Sequence, residues 1–359
     1  MKYKIIIAFI LFIIESSYAQ DPVYSQFYEN RLELNPAFCG RDGEGSLRVN
    51  AFHRNLYRPI EGPFHNTNLA VDFGMCKTQH LGFGLIASNE TQGDGYLSNN
   101  KIEGLMGFRK EFGRYACLSV GIKFGLIFQK VDWSQFVFSD QLDPVQGVVR
   151  SSVNSNIYSE FSTAYTLTSG VNYTFQDHKE KNHFLGNLGI TWNNLNEPNI
   201  GYLSNYELPQ RFTFYGALWY FRNKNQLNSS WLIKSRFDIQ KNYKTNVLLL
   251  EHYFIEVLSI GAGYRLSLFN SSGFSNTSSV VLSAGLQPFG VNTQMKFLIS
   301  YESNIGGLNV IGVGNTFEFG ITFKPNKPLC GNRQSKNGKG VSRMTCPIVD
   351  DKEVVIPQF

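Results

Sequence analysis

Charge, long apolar runs and catalytic motifs are all scarce in this chain of 359 residues. Charged residues make up 17% of it, below the roughly 25% of ordinary soluble domains. The formal net charge of +5 is too mild to argue for nucleic acid as a partner. Beyond the first 19 residues no apolar run approaches the ~20 residues that a membrane-spanning helix needs. H-E-x-x-H, G-x-S-x-G, a P-loop and a strand-to-helix G-x-G-x-x-G are all missing. His53, His65, His80, His178, His183 and His252 are scattered without ligand spacing, and the cysteines fit no zinc motif. No metal and no cofactor are therefore expected. Gly82-Phe83-Gly84 and Gly312-Val313-Gly314 are read as lumen-facing strand glycines, not phosphate loops. An enzyme reading rests only on the general fact that barrel hydrolases assemble Ser and His from separate strands.

What is present is aromatic and alternating. There are 30 Phe, 18 Tyr and 33 Gly. Over residues 116–128, Ala116, Leu118, Val120, Ile122, Phe124, Leu126 and Phe128 occupy one face. Cys117, Ser119, Gly121, Lys123, Gly125 and Ile127 occupy the other. Ile311, Val313, Phe317, Phe319, Ile321 and Phe323 repeat the pattern, with Asn315 breaking the row. An apolar face opposite one of Gly, Ser, Thr and charge suits lipid outside and a wet lumen inside. A soluble sandwich turns its large apolar groups inward instead. The alternation predicts strands near 45–55, 64–73, 79–88, 99–110, 114–131, 157–174, 182–192, 209–221, 229–240, 244–252, 256–268, 278–287, 292–301 and 309–323. The fold class is all-β: a transmembrane outer-membrane barrel of about 14 antiparallel strands.

The ends frame this barrel. Lys2 and Lys4, the apolar run Ile5 to Ile14 and Ser17-Tyr18-Ala19 read as a secretory signal, residues 1–19. Residues 20–44 form a polar-aromatic, turn-rich strap, residues 45–323 the barrel, and residues 324–359 a basic tail of flexible composition. An even strand count puts both termini on the short-turn side, which in such barrels is periplasmic. Loops near 56–63, 89–98, 132–156 and 193–208 then face outward. The strap's aromatics Tyr24, Phe27, Tyr28 and Phe38 are expected to pack at the periplasmic mouth. The tail reads as a solvated linker, with docking to an acidic partner as the sharper alternative. Lys123 and Glu318 read as members of an interior polar network.

Under this topology Cys39, Cys76, Cys117, Cys330 and Cys346 all fall at or near the periplasmic rim. Export permits disulfides. Cys39, Cys76, Cys330 and Cys346 are the candidates, bridging strap to tail or within the tail; an odd count leaves one thiol over, and the connectivity stays open.

The strap also carries a family resemblance. Asp21-Pro22-x-x-Ser25-Gln26-Phe27-Tyr28, followed by Leu34-Asn35-Pro36-Ala37-Phe38-x-Gly40, closely resembles the PorP/SprF outer-membrane proteins of Bacteroidetes. Further matches follow in order. Arg54-Asn55, Gly62 and Asp72 are similar to that family's R-N-Q-W…G…D segment, with Leu56-Tyr57 in place of Gln-Trp. Trp133, Phe138 and the run Asp140-Gln141-Leu142-Asp143-Pro144-Val145-Gln146-Gly147 resemble its W…F-x-D-Q-I-x-P-x-x-G loop. Asn194 to Pro198, Leu208-Pro209 with Arg211-Phe212, Tyr301-Glu302, Thr316 to Glu318 and Cys346-Pro347 continue the resemblance.

It implies a non-enzymatic component of the type IX secretion and gliding machinery. Such a component supports surface delivery or anchoring of cargo such as an adhesin. The partners implied are other secretion components, a periplasmic or peptidoglycan-binding protein, and the cargo, besides outer-membrane lipid. An outer-membrane porin or hydrophobic-solute transporter of similar strand count is the alternative.

Overall fold

The computed structural model describes the strands and much of the strap. Outside the described residues lie 1–22, 44, 57–63, 77–79, 93–96, 113–115, 134–135, 144, 146, 150–160, 178–182, 202–204, 222–228, 255–256, 270–275, 288–292, 307–314, 326–328 and 330–359.

Period-2 sequence produces long strands that close on themselves. The strap contributes a single helical turn, α1 (Arg31–Leu34), and a 3₁₀ turn at Pro36–Phe38. The first five strands are β1 (Leu47–Leu56), β2 (Phe64–Gly74), β3 (Leu81–Gln92), β4 (Leu97–Phe112) and β5 (Ala116–Val131). A small hairpin follows, β6 (Leu142–Asp143) with β7 (Gly147–Val148). The barrel resumes with β8 (Phe161–Gln176), β9 (His183–Asn193), β10 (Arg211–Phe221), β11 (Ser229–Gln240) and β12 (Tyr243–Phe254). It ends with β13 (Leu258–Phe269), β14 (Thr277–Leu286), β15 (Thr293–Gly306) and β16 (Thr316–Pro325). Each strand but the small hairpin pairs antiparallel with its neighbour, and β1 pairs with β16, so fourteen strands form a closed barrel. Closure removes every unpaired edge, which a sheet in hydrocarbon requires.

The alternation sets which side faces out. Ile122 and Phe124 on β5 are each 51% exposed, while Ser119 and Lys123 on the same strand are 3% exposed. Outward Leu69, Leu85, Ile102, Ile190, Ile260, Leu282 and Ile299 continue the apolar belt around the barrel. A belt of that extent facing water would drive aggregation; facing lipid it is the stabilising surface. Aromatic pairs edge it on both sides. Phe184–Tyr220 and Trp231–His252 lie near the short-turn rim, Trp192–Phe212 and Tyr301–Phe317 near the opposite rim. Amphipathic rings suit the two interfaces of a bilayer. Among the described residues no helix is long and apolar enough to cross a membrane. The chain is an outer-membrane β-barrel.

The ends of β2 and β3, of β4 and β5 and of β12 and β13 meet at one rim with few residues between them, while longer stretches of sequence separate the ends of β5 and β8 and of β9 and β10 at the other. One exception sits among the long loops: β11 turns into β12 through residues 241–242, with Lys241 at φ 49°. The 194–210 loop folds onto the barrel. Ile200 and Leu208 pack on the inward-facing Ile127, and Asn194, itself at φ 55°, accepts from the Thr166 hydroxyl at 3.0 Å.

Candidate functional site

Inward-facing positions of a 14-strand barrel would leave a wide polar lumen if nothing filled it. Here the strap fills it. Every residue from Val23 to Gly43 is buried, apart from Glu33 and Asp42, which are partly so. Val23 lies beside Arg54, two residues from the long-loop end of β1. Gly43 lies against Gly74, the last residue of β2, at the short-turn rim. The strap therefore runs through the lumen from its long-loop half back to the short-turn rim, where it feeds β1. The expectation that its aromatics cap the mouth is replaced by something deeper. Phe27, Tyr28 and Phe38 join one buried cluster with Tyr215, Trp219, Leu232 and Val247 of the wall. The reason is physical: an aromatic, turn-rich segment gains more by occupying an enclosed lumen than by lying on a solvated rim.

The wall is shaped for this. Gly74 of β2 pairs with Gly82 of β3, Gly82 with Gly107 of β4, Gly107 with Gly121 of β5, and Gly121 with Gly170 of β8. Five glycines thus form one row across five adjacent strands, and residues 35–43 of the strap lie along it. A Cβ at Gly121 would sit 2.3 Å from the Pro36 carbonyl carbon, and one at Gly82 2.4 Å from the Gly40 Cα. At Gly170 it would meet the Asn35 Oδ1 at 2.1 Å, and at Gly74 the Gly43 oxygen at 1.7 Å. Absence of side chains in this row is what lets backbone approach backbone.

Polar groups then fix the strap at each level. In the long-loop half, the Glu318 carboxylate accepts the backbone N–H of Ser25 at 2.6 Å and of Gln26 at 2.9 Å. Ser25 Oγ donates to Glu302 at 2.7 Å, and Arg265 donates to Ser25 Oγ at 2.9 Å. Arg54 bridges the two carboxylates, at 2.9 Å from Glu318 and 3.4 Å from Glu302, and donates to the Val23 carbonyl. The Tyr24 hydroxyl donates to Asn66.

Midway, Glu29 is ringed by Lys296, Arg48 and Lys234. Burial alone would raise its carboxyl, but Lys296, Lys234 and Arg48 outweigh that and hold it at about 2. The Glu29 carbonyl also accepts from Arg48 and Asn50, each at 3.1 Å. The Thr191 hydroxyl donates to the Leu34 carbonyl at 2.9 Å. Asn35 caps the 3₁₀ turn by accepting from the Ala37 N–H at 2.8 Å. Its amide donates to the Val171 and Ile190 carbonyls, each at 3.1 Å, and to the Tyr215 hydroxyl at 2.9 Å.

Toward the short-turn rim, Arg109 donates to the Gly40 and Arg41 carbonyls at 2.9 and 2.8 Å, and the Gly40 N–H donates to Asp72 at 3.1 Å. Arg31 pairs with Asp42 inside the strap. Burial pushes the Asp42 carboxyl up, yet Arg31, Lys324 and Arg48 together hold it well below the usual carboxylate range. Ion pairs at this depth have lost their hydration, so removing one partner costs more than the pair itself is worth.

Of the residues singled out by sequence, the structure brings Ser25, Gln26, Phe27, Tyr28, Asn35, Pro36, Phe38 and Gly40 together in the lumen. Asp140, Gln141 and Asp143 are placed elsewhere, in the 132–160 connection. There Gln141 accepts from the Phe138 N–H at 2.7 Å and Asp143 from the Val145 N–H at 2.8 Å, so both shape their own loop. Asp21, Pro22, Pro144, Cys330 and Cys346 lie outside the described residues. Cys39 is a free, buried thiol, 5% exposed, whereas Cys76 and Cys117 are both disulfide-bonded. Burial, reinforced by the Asp72 carboxylate, pushes the Cys39 thiol far above its ordinary range.

The wall residues that grip the strap, among them Arg109, Lys234, Arg265 and Lys296, were not singled out by sequence. Their one signal is parity: each is a cation on the inward side of an alternating strand. Among the described residues no cluster of His, Cys, Asp and Glu suited to a metal is found. Among the described residues, a polar recess beside the strap is lined by Tyr24, Glu33, Asn66, Asn68, Glu90 and Lys101.

Comparison with known proteins adds a family. The profile of "Type IX secretion system membrane protein PorP/SprF" matches residues 16–323. No curated protein matches the sequence. Among solved structures, the chain is similar to the CymD monoaromatic hydrocarbon channel at 10% identity and TM-score 0.43, covering 82% of this chain and 91% of that one. It is similar to the P. putida toluene transporter TodX at 10% identity and TM-score 0.41, covering 82% and 92%. A Pseudomonas aeruginosa FadL homologue gives 10% identity and TM-score 0.38, covering 81% and 91%. Likeness at this level carries no inference of a shared solute.

Proposed function

The chain belongs to the PorP/SprF family of type IX secretion system membrane proteins, and from that premise we propose that it is a closed, non-enzymatic barrel on which secretion is organised. Its work is to support surface delivery or anchoring of cargo, an adhesin in the family's pattern, and gliding in cells that glide. The short-turn rim, where the strap leaves the lumen and the tail begins, faces the periplasm in this reading. It meets the secretion machinery and a periplasmic or peptidoglycan-binding partner there. The long loops face outward and meet the cargo.

The observation that carries this reading is the occupied lumen. A porin or solute transporter needs a path between its rims. Here the strap is buried along its length and bonded to wall strands around the barrel, from Arg54 and Glu318 to Thr191 and Lys234. Opening a path would break many buried contacts at once. What remains for function are the two rims, and rims are surfaces for protein partners.

Affinity purification in gentle detergent followed by mass spectrometry tests this. Secretion-system components and a secreted surface protein are the expected co-purifying species. Recovery of the barrel alone under conditions that preserve other membrane complexes would contradict the reading.

A further inference from the structure

In the long-loop half of the lumen, β2, β3 and β4 turn a patch of oxygen-bearing side chains inward, and register sets them in two rows. In one, Asn66 pairs with Glu90 and Glu90 with Asn99; in the other, Asn68 pairs with Ser88 and Ser88 with Lys101. Neighbouring strands stand ~4.8 Å apart, so side chains from all three can meet over the central one. From the lumen side the strap closes the patch with Tyr24 and Glu33, leaving a recess of about 20 Å³. That volume admits one or two water-sized particles and no organic solute.

Two features of the recess call for a cation. The first is an excess of acceptors. Asn68 is 1% exposed, and among the described residues its Oδ1 meets no donor; the buried Oδ1 of Asn99 meets none either. The Tyr24 hydroxyl donates to Asn66 and so is spent elsewhere. Buried oxygens left this way are costly unless something positive faces them.

The second is charge. Lys123 is shared between Glu103 at 3.1 Å and Glu33 at 3.5 Å. The recess adds one more carboxylate, Glu90, and one more ammonium, Lys101. Three carboxylates therefore stand against two ammonium groups. Arg54, bonded to the strap next to Tyr24, is already held between Glu318 and Glu302. An excess carboxylate at this depth is stable only with a further positive charge beside it.

We propose that the recess binds one hard divalent cation, calcium, through the Glu33 and Glu90 carboxylates and the amide oxygens of Asn68 and Asn99. Carboxylate and amide oxygens in irregular geometry are the donors calcium takes. Magnesium demands a strict octahedron and keeps several waters, for which there is no room. Glu33 belongs to the strap and the other three to the wall, so the ion ties the strap to β2–β4. Two carboxylates, one of them shared with Lys123, put the affinity in the weak class of extracellular sites, roughly 10⁻⁴–10⁻³ M.

Calorimetric titration of calcium chloride into the metal-stripped, detergent-solubilised full-length barrel tests this. One site in that range is expected, and magnesium at about tenfold excess should not displace the ion. Glu90→Gln keeps the shape and removes a ligand charge, so it should weaken binding about tenfold or more. Glu197→Gln, exposed in the 194–210 loop, should bind as the wild type does. Lys101→Gln removes the competing ammonium and should tighten binding severalfold. Each variant is compared as a barrel that keeps its gel shift between boiled and unboiled forms; if Glu90→Gln does not assemble, the wild type and Lys101→Gln still decide. No calcium uptake by the wild type, equal uptake by Glu90→Gln, displacement by magnesium, or unchanged or weaker binding by Lys101→Gln would overturn the site.

Discussion

Gly121 of β5 lies directly beneath Pro36 of the strap, so closely that a Cβ on the glycine would stand 2.3 Å from the Pro36 carbonyl carbon. The contact joins residues 85 positions apart and is one of five in the glycine row that seats the strap.

Gly121→Val should therefore lift residues 35–39 off the wall while leaving the strand itself able to pair. Overpacking of this kind costs about 1–3 kcal/mol, and more where backbone cannot yield. The Cys39 thiol reports it: buried in the native protein, it should label many times faster in the variant. The gel shift between boiled and unboiled barrel should persist. Unchanged Cys39 labelling would contradict the seating described here.

Glu318 makes a different kind of contact, accepting two strap N–H groups while paired with Arg54. Glu318→Gln keeps the shape and loses the charge, at a cost of roughly 3–5 kcal/mol for breaking a buried pair. The unboiled barrel should convert to its unfolded gel position at a clearly lower temperature. Phe319→Leu, on the outward face of the same strand, is the control and should convert near the wild-type temperature. Equal behaviour of the two variants would remove Glu318 from the network.

Glu29 gives the strap a pH dependence of known sign. Its carboxyl ordinarily titrates at 4.5 and is held at about 2 in the lumen by Lys296, Lys234 and Arg48 against the effect of burial. A depressed carboxylate stabilises the folded form above its unfolded pKa and loses that contribution as pH falls toward the folded one. The window is thus about pH 4.5 down to 2, and the contribution is roughly 3 kcal/mol. Cys39 reactivity toward a disulfide reagent that works in acid should rise across this window. Glu29→Gln should show raised reactivity at neutral pH and a flatter response. A wild-type profile with no rise below pH 4.5 would contradict it.

The barrel was legible because its signal is local. In β5 the apolar face from Leu118 to Phe128 and the polar face from Cys117 to Gly125 can be read from neighbouring residues. Strand ends followed closely as well, with the observed β11 starting and ending at Ser229 and Gln240 as predicted. The strap's position was not legible, because the wall residues that hold it are spread from β1 to β16. Asn35 is held by Val171, Ile190 and Tyr215, each more than 130 residues away. Gly74, Gly82, Gly107, Gly121 and Gly170 look like unrelated strand glycines until strand register aligns them. The cysteines divide the same way. Strand parity says nothing of which thiol is bonded, and only the packed lumen shows Cys39 as a free, buried thiol while Cys76 and Cys117 are bonded.

The most direct measurement is ionic conductance of the purified full-length barrel in a planar bilayer, beside a chain lacking residues 23–43 whose barrel assembly is verified by its gel shift. The strap-filled lumen implies no steady current through the full-length protein and open, ohmic channels from the deletion. Steady full-length channels as large as those of the deletion would contradict it, and would return the barrel to the class of solute pores.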